Sequence, residues 1–215
     1  MSQPDVPRPS FAILVAISAV GPLALNIFIP SMPGLQAAFG VSYGTAQLTL
    51  TLYLIGMAVC QLGYGPLSDR YGRRPLLLGG LALFVLASLL AAMAPTIELL
   101  IIARLIQAVG GAAGIVLARA MVRDVFDRER SASVISYITM AFVVAPMIAP
   151  ALGGFIDKFA GWRTDFWLLS AFGAIILVAA WFTLPETHVN RTGGHGLSML
   201  EGAARLFRLP RFRGY

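Results

Sequence analysis

Residues 43–64 and 76–93 contain no charged side chain, yet the eleven residues between them, 65–75, hold four: Asp69, Arg70, Arg73 and Arg74. A helix needs about 20 apolar residues to cross the hydrocarbon core of a bilayer, and both runs reach that scale. The segment between them, with two glycines and two prolines, reads as a tightly turned connector fixed at one membrane surface. Four more runs reach the same scale: 11–29, 97–121, 131–156 and 166–184. The fourth run in chain order is interrupted by Arg104 and Arg119, and the fifth by Pro146 and Pro150.

Composition leaves little room for a water-soluble fold. The 215 residues are 58% hydrophobic and 12% charged, against about 25% charged in a soluble domain. Alternating apolar and polar residues, the mark of a membrane β-barrel, are absent. The first run exceeds the ~7–15 apolar residues of a signal peptide, so it reads as a retained helix. Cys60 is the only cysteine; it has no intrachain partner and packs as a small apolar side chain.

The formal charge of +6 is distributed by side rather than by domain. Six crossings place Arg8, Arg70, Arg73, Arg74, Arg123, Arg128, Arg130 and the five arginines after residue 190 on one surface. The other surface holds only Lys158 and Arg163. Cationic loops stay cytoplasmic, so both termini are expected there. The basic excess is thus a topology signal, with attraction to anionic lipid as a second effect; it does not indicate nucleic acid. Residues 1–10 read as a disordered cytoplasmic lead and 11–184 as a six-helix bundle. Residues 185–215 read as a cytoplasmic linker with a short amphipathic helix, or as an ordinary basic loop.

Several side chains within the runs could have functional roles. Asn26 follows Gly21-Pro22 and precedes Pro30-Ser31-Met32-Pro33; it could line a cavity or bond across helices. Gln47, Thr51, Leu54, Ala58, Gln61 and Gly65 share one helical face, which fits either a cavity wall or a tight helix contact. Arg104, Gln107, Gly111, Gly114 and Ala118 form a stripe on the fourth run. A guanidinium cannot shed its charge by losing a proton, so Arg104 must find water, a carboxylate, backbone carbonyls or a substrate. Pro146 and Pro150, with Gly153 and Gly154, favour a bent helix, static or hinged, that another helix can approach closely. Glu98, Asp157 and Asp165 fall at the outer ends of runs, so no acid is expected at mid-membrane. His188 and His195 lie in the linker. Without a metal cluster, a phosphate loop or a Ser-His-Asp set, the chain does not read as an enzyme.

Residues 65–77, Gly65-Pro66-Leu67-Ser68-Asp69-Arg70-Tyr71-Gly72-Arg73-Arg74-Pro75-Leu76-Leu77, resemble motif A of the major facilitator superfamily at its defining positions. Residues 100–107 resemble motif B, with Arg104 as the central arginine and Ala108 in place of the usual glycine. Pro30-Ser31-Met32-Pro33, Arg119-Ala120-Met121-Val122-Arg123-Asp124, residues 145–150 and Leu184-Pro185-Glu186-Thr187 resemble the bicyclomycin/chloramphenicol-resistance branch of bacterial multidrug/proton antiporters. The resemblance covers only the N-terminal half of such a protein.

The resemblance implies an all-α membrane protein of six transmembrane helices in two three-helix repeats. It would sit in the bacterial inner membrane and work by alternating access against a C-terminal six-helix half, in cis or in trans. The implied function is export of amphiphilic drug-like molecules, with a proton as coupling ion and no other cofactor. Asn26, Tyr53, Gln61, Arg104, Gln107 and Met140 would line the substrate and proton pathway. The implied gating motif is Gly65, Asp69, Arg70, Gly72, Arg73 and Arg74, joined by Asp124, with Gly65 and Gly72 allowing close backbone approach. Pro146, Pro150, Gly153 and Gly154 would form the kink. Members of this branch usually carry an acid where this chain has Asn26. Import of a small polar metabolite, and a non-transporting half acting as a membrane interaction module, are the alternatives.

Overall fold

The computed structural model describes residues 9–187. The expected linker helix and most of the N-terminal lead lie outside them. Every regular element among the described residues is helical: α1 (Phe11–Asn26), a 3-10 turn (Ile29–Ser31), α2 (Met32–Phe39), α3 (Tyr43–Tyr71), α4 (Arg73–Ala92), α5 (Ile97–Val125), α6 (Arg128–Ala160) and α7 (Arg163–Thr183). Among the described residues six units are long and apolar enough to cross a membrane, with α1, the turn and α2 together forming the first.

Local chemistry sets the boundaries. Ser42 caps α3 by accepting from Thr45 N at 3.2 Å, and Asp127 caps α6 by accepting from Arg130 N at 2.8 Å. Gly40 and Gly161 end α2 and α6 with positive φ, where a residue without Cβ meets no penalty. α1 runs on through Pro22, and the first crossing is broken further along, where Pro30 lacks the amide that would donate to Asn26 O. α1 stops at Asn26, the chain makes one 3-10 turn, and α2 resumes at Met32.

The connector 65–75 differs from the tight turn expected of it. α3 runs through Pro66 to Tyr71 and α4 begins at Arg73, so the reversal is confined to Gly72, with φ +98° and ψ 154°. The apolar-to-charged boundary marks where α3 leaves the hydrocarbon, and the helix itself continues beyond it. Asp69 and Arg73 therefore lie across a one-residue hinge.

α5 is the centre of the bundle. It packs on α1, α3, α4 and α6, and α4 packs on α7 as α1 does on α6. The pattern of packed pairs is unchanged when the first crossing, α3 and α4 are exchanged with α5, α6 and α7. Two three-helix repeats account for that symmetry. Small residues make the packing close: a Cβ on Gly110 would come within 2.6 Å of Phe84 N in α4, and one on Gly114 would overlap Ile17 O of α1. A Cβ on Gly153 would overlap Ile27 O, at the break in the first crossing. The glycines following Pro146 and Pro150 thus fit α6, which remains one continuous helix, against that break.

Candidate functional site

Arg104 is wholly buried in α5. Its Nη1 donates to Gln107 Oε1 at 2.5 Å and to Ala24 O at 3.1 Å. Gln107 Nε2 donates to Ser88 Oγ at 2.6 Å, and Ser88 Oγ to Phe84 O at 2.7 Å, which ties α5 to α4. Three rings surround the guanidinium carbon, with centroids 4.1 Å (Tyr53), 5.4 Å (Phe28) and 5.7 Å (Phe166) away. Among the described residues no carboxylate pairs with Arg104, and its Nε and Nη2 lack hydrogen-bond partners.

The break in the first crossing explains how this cation is held. The last carbonyls of a helix lack intrahelical donors, and its C-terminus carries a partial negative charge. α1 ends at Asn26, so Ala24 O is one of those carbonyls, and Arg104 takes it. Asn26 turns its own amide back to Pro22 O at 2.8 Å. The aromatic faces add cation–π attraction, strongest where water is excluded.

The structure joins Arg104, Gln107 and Tyr53 in one network. Tyr53 is fully buried and donates to Gly21 O at 3.0 Å. Asn26 is half-buried beside the network and not bonded into it. Met140, on α6, is exposed at 57%. Gln61 lies elsewhere, in a cavity of about 350 Å³ among Gly65, Asp69, Arg73, Arg119, Arg123 and Asp124. Ser88, Phe28 and Phe166 had no distinguishing sequence signal; only the fold brings them to Arg104.

That cavity adjoins a second charged centre at the Gly72 end of the bundle. Arg73 pairs with Asp69 Oδ1 at 2.7 Å and with Asp124 Oδ2 at 3.1 Å, and donates to Ser68 Oγ. The segment after α7 folds onto the same place. Glu186 accepts from Arg73 N at 3.0 Å and from Arg74 N at 3.3 Å, while Thr187 donates to Asp124 at 3.3 Å. Arg74 donates to Trp181 O at 2.8 Å, and Arg70 lies over the exposed ring of Tyr71. A Cβ on Gly65 would meet nothing within 4 Å in this chain. Gly72, in contrast, is required by its φ. Glu186 and Thr187 stood out in the sequence only as part of a family signature.

A six-crossing bundle with a buried arginine network at one level and a charge cluster at the end of α3 is the architecture of half a membrane transporter. The chain belongs to the Major Facilitator Superfamily, whose family model matches residues 14–212. It is 36% identical over 189 residues to a chloramphenicol resistance protein of Pseudomonas aeruginosa, covering 87% of this chain and 45% of that protein. It is 34% identical over 172 residues to a bicyclomycin resistance protein homolog of Haemophilus influenzae, covering 80% and 43%. A bacterial homolog of the human lysosomal transporter Spinster, solved inward-facing and unoccupied, superposes with TM-score 0.72 at 17% identity, over 82% of this chain and 43% of that one. The chain spans about half the length of the relatives it matches. Its family is one of transporters, not enzymes.

Proposed function

We propose that this chain is the N-terminal half of an exporter of amphiphilic drug-like molecules. It sits in the bacterial inner membrane with both termini cytoplasmic, and drives export by proton antiport with alternating access. The carrying observation is Arg104, a permanent cation buried among aromatic rings with two unpartnered N–H groups. Such a group is costly in a membrane interior and is characteristic of substrate and ion pathways. The resistance proteins among its relatives favour drugs over polar metabolites.

A C-terminal six-helix half, in cis or in trans, closes the pathway that Arg104 and Gln107 begin. Asp69, Arg73 and Asp124 act as the cytoplasmic gate, holding the two halves together when the pathway opens outward. Gln61 lines the approach to that gate. Met140 and the exposed face of α6 face the partner half or lipid.

The test is chloramphenicol accumulation in an efflux-deficient bacterium making the full-length protein that contains this chain. Lower accumulation that a protonophore reverses is the expected result. Arg104→Gln should abolish the effect while the protein still reaches the membrane. Equal accumulation with and without the protein refutes the reading.

A further inference from the structure

Asp165 lies in the first turn of α7, outside the site described above, and is wholly buried. Its Oδ2 accepts a 2.5 Å hydrogen bond from Ser31, a fully buried hydroxyl in the turn between α1 and α2. Its Oδ1 is buried without a donor, and among the described residues no cation pairs with it. Arg104 is its complement, a buried cation short of acceptors. The two are linked through one aromatic pair. Phe166 follows Asp165 in the chain, its ring is 5.1 Å from that of Phe28, and both rings border the Arg104 guanidinium. Phe28 in turn immediately precedes the 3-10 turn that holds Ser31, and its carbonyl accepts from Ser31 N at 3.2 Å.

The other charged groups at this end do not neutralise Asp165. Arg163, on α7 itself, donates to Ala94 O at 3.0 Å and lies over Trp162. On α6, Asp157 is the neighbouring acid, and Lys158 is exposed and lies over the ring of Phe159 at 5.7 Å. Glu98 of α5 is exposed. α1, α2 and α4 have no titratable side chain at this end, and Tyr43 at the start of α3 is exposed.

We propose that Asp165 is the proton-binding carboxylate of this half. It takes up a proton at Oδ2 in one stage of the cycle and releases it in another, while Arg104 stays charged. A hydroxyl both donates and accepts, so the contact survives either way: Ser31 Oγ–H donates to the carboxylate, and the protonated Oδ2–H donates to Ser31 Oγ. Proton uptake therefore changes the charge beside Phe166 and Phe28 without breaking the link between α7 and the turn. This gives the bundle a carboxyl group in the membrane that position 26, an asparagine here, does not supply. The inference rests on the proton-antiport reading above.

Everted vesicles containing the full-length protein are assayed in two ways. Chloramphenicol-dependent proton movement is followed with a ΔpH-sensitive dye. Chloramphenicol counterflow is measured at equal pH on both sides, where no net proton movement is needed. Asp165→Asn is expected to lose proton movement and keep counterflow, and Asp165→Glu to regain proton movement. Asp165→Asn that still moves protons overturns the proposal. So does loss of counterflow in Asp165→Asn, which would make the side chain a structural strut. Counterflow without proton movement in the unaltered protein refutes the antiport reading itself, and the assignment of Asp165 with it.

Discussion

Helix α4 starts directly after Gly72, which has no side chain to cap it. Its first amides are satisfied from 113 residues away in sequence: the two carboxylate oxygens of Glu186 accept from Arg73 N and Arg74 N. A hydrogen bond to a charged group contributes about 1.5–3 kcal/mol, and an anion at a helix N-terminus about 0.3–1 kcal/mol. Glu186 is half-buried, and water replaces part of what is lost on truncation. Losing a helix cap costs about 0.5–2 kcal/mol, and Glu186→Ala is placed near the top of that range. The direct assay is amide hydrogen exchange at Arg73 and Arg74 in lipid nanodiscs. A loss of one to two kcal/mol corresponds to a factor of about 5–30 in the opening equilibrium, so exchange should accelerate by that factor at these amides and stay unchanged in the middle of α4. Glu186→Gln, with one carbonyl oxygen and no charge, should fall between. Unchanged protection in Glu186→Ala would show that the cap is idle and that the segment after α7 does not hold the gate.

Two further substitutions probe the cluster and the packing. The Asp69 side chain is 58% exposed and pairs with Arg73 across the Gly72 reversal, and an exposed pair is worth about 0.2–1 kcal/mol. Asp69→Asn should therefore leave the thermal midpoint and membrane insertion almost unchanged while weakening efflux; unchanged efflux would count against a gate. Gly153→Ala pushes a methyl group into Ile27 O and should destabilise by about 1–3 kcal/mol. Gly154→Ala, whose Cβ would sit 3.4 Å from Pro30 Cβ, is the mild control, and equal midpoints for the two would refute the close approach of α6 to the break.

The crossings were legible because length and apolarity are local properties, and the motif at 65–77 because its spacing is long and specific. The position of the turn was not. Gly65, Pro66 and the charges suggested an irregular connector, but a helix tolerates proline when neighbouring groups satisfy the freed carbonyl, and α3 extends past them. Arg104 stood out as a charge in an apolar run, whereas its partners did not. Ala24 matters through its carbonyl, and what frees a carbonyl is the end of a helix, which composition does not mark. Asp165 looked like an interfacial residue because it lies two positions into its crossing. Its burial comes from the folding of the 3-10 turn over the end of α7, which brings Ser31 to it across 134 residues of sequence.

Among the described residues no carboxylate pairs with Arg104, and this bears on how the site can work. Removing one partner of a buried ion pair costs about 3–5 kcal/mol, so a tight pair would pin the guanidinium in place. Here it is held by two hydrogen bonds from one nitrogen and by three ring faces. Each ring is worth about 0.5–2 kcal/mol. Each of these contacts is weaker than an ion pair, and each can be exchanged separately. Two of them depend on the α1 break directly, through Ala24 O and Phe28. A movement at the break would therefore loosen the arginine stepwise and free N–H groups toward a ligand without isolating the charge. Arg104→Lys separates this from simple charge retention. Lysine keeps the cation but lacks the planar guanidinium that lies among the rings of Tyr53, Phe28 and Phe166, so it should preserve stability to within about 1–2 kcal/mol while efflux fails. Efflux at the unaltered rate in Arg104→Lys would mean that only the charge matters and that the geometry around it is incidental.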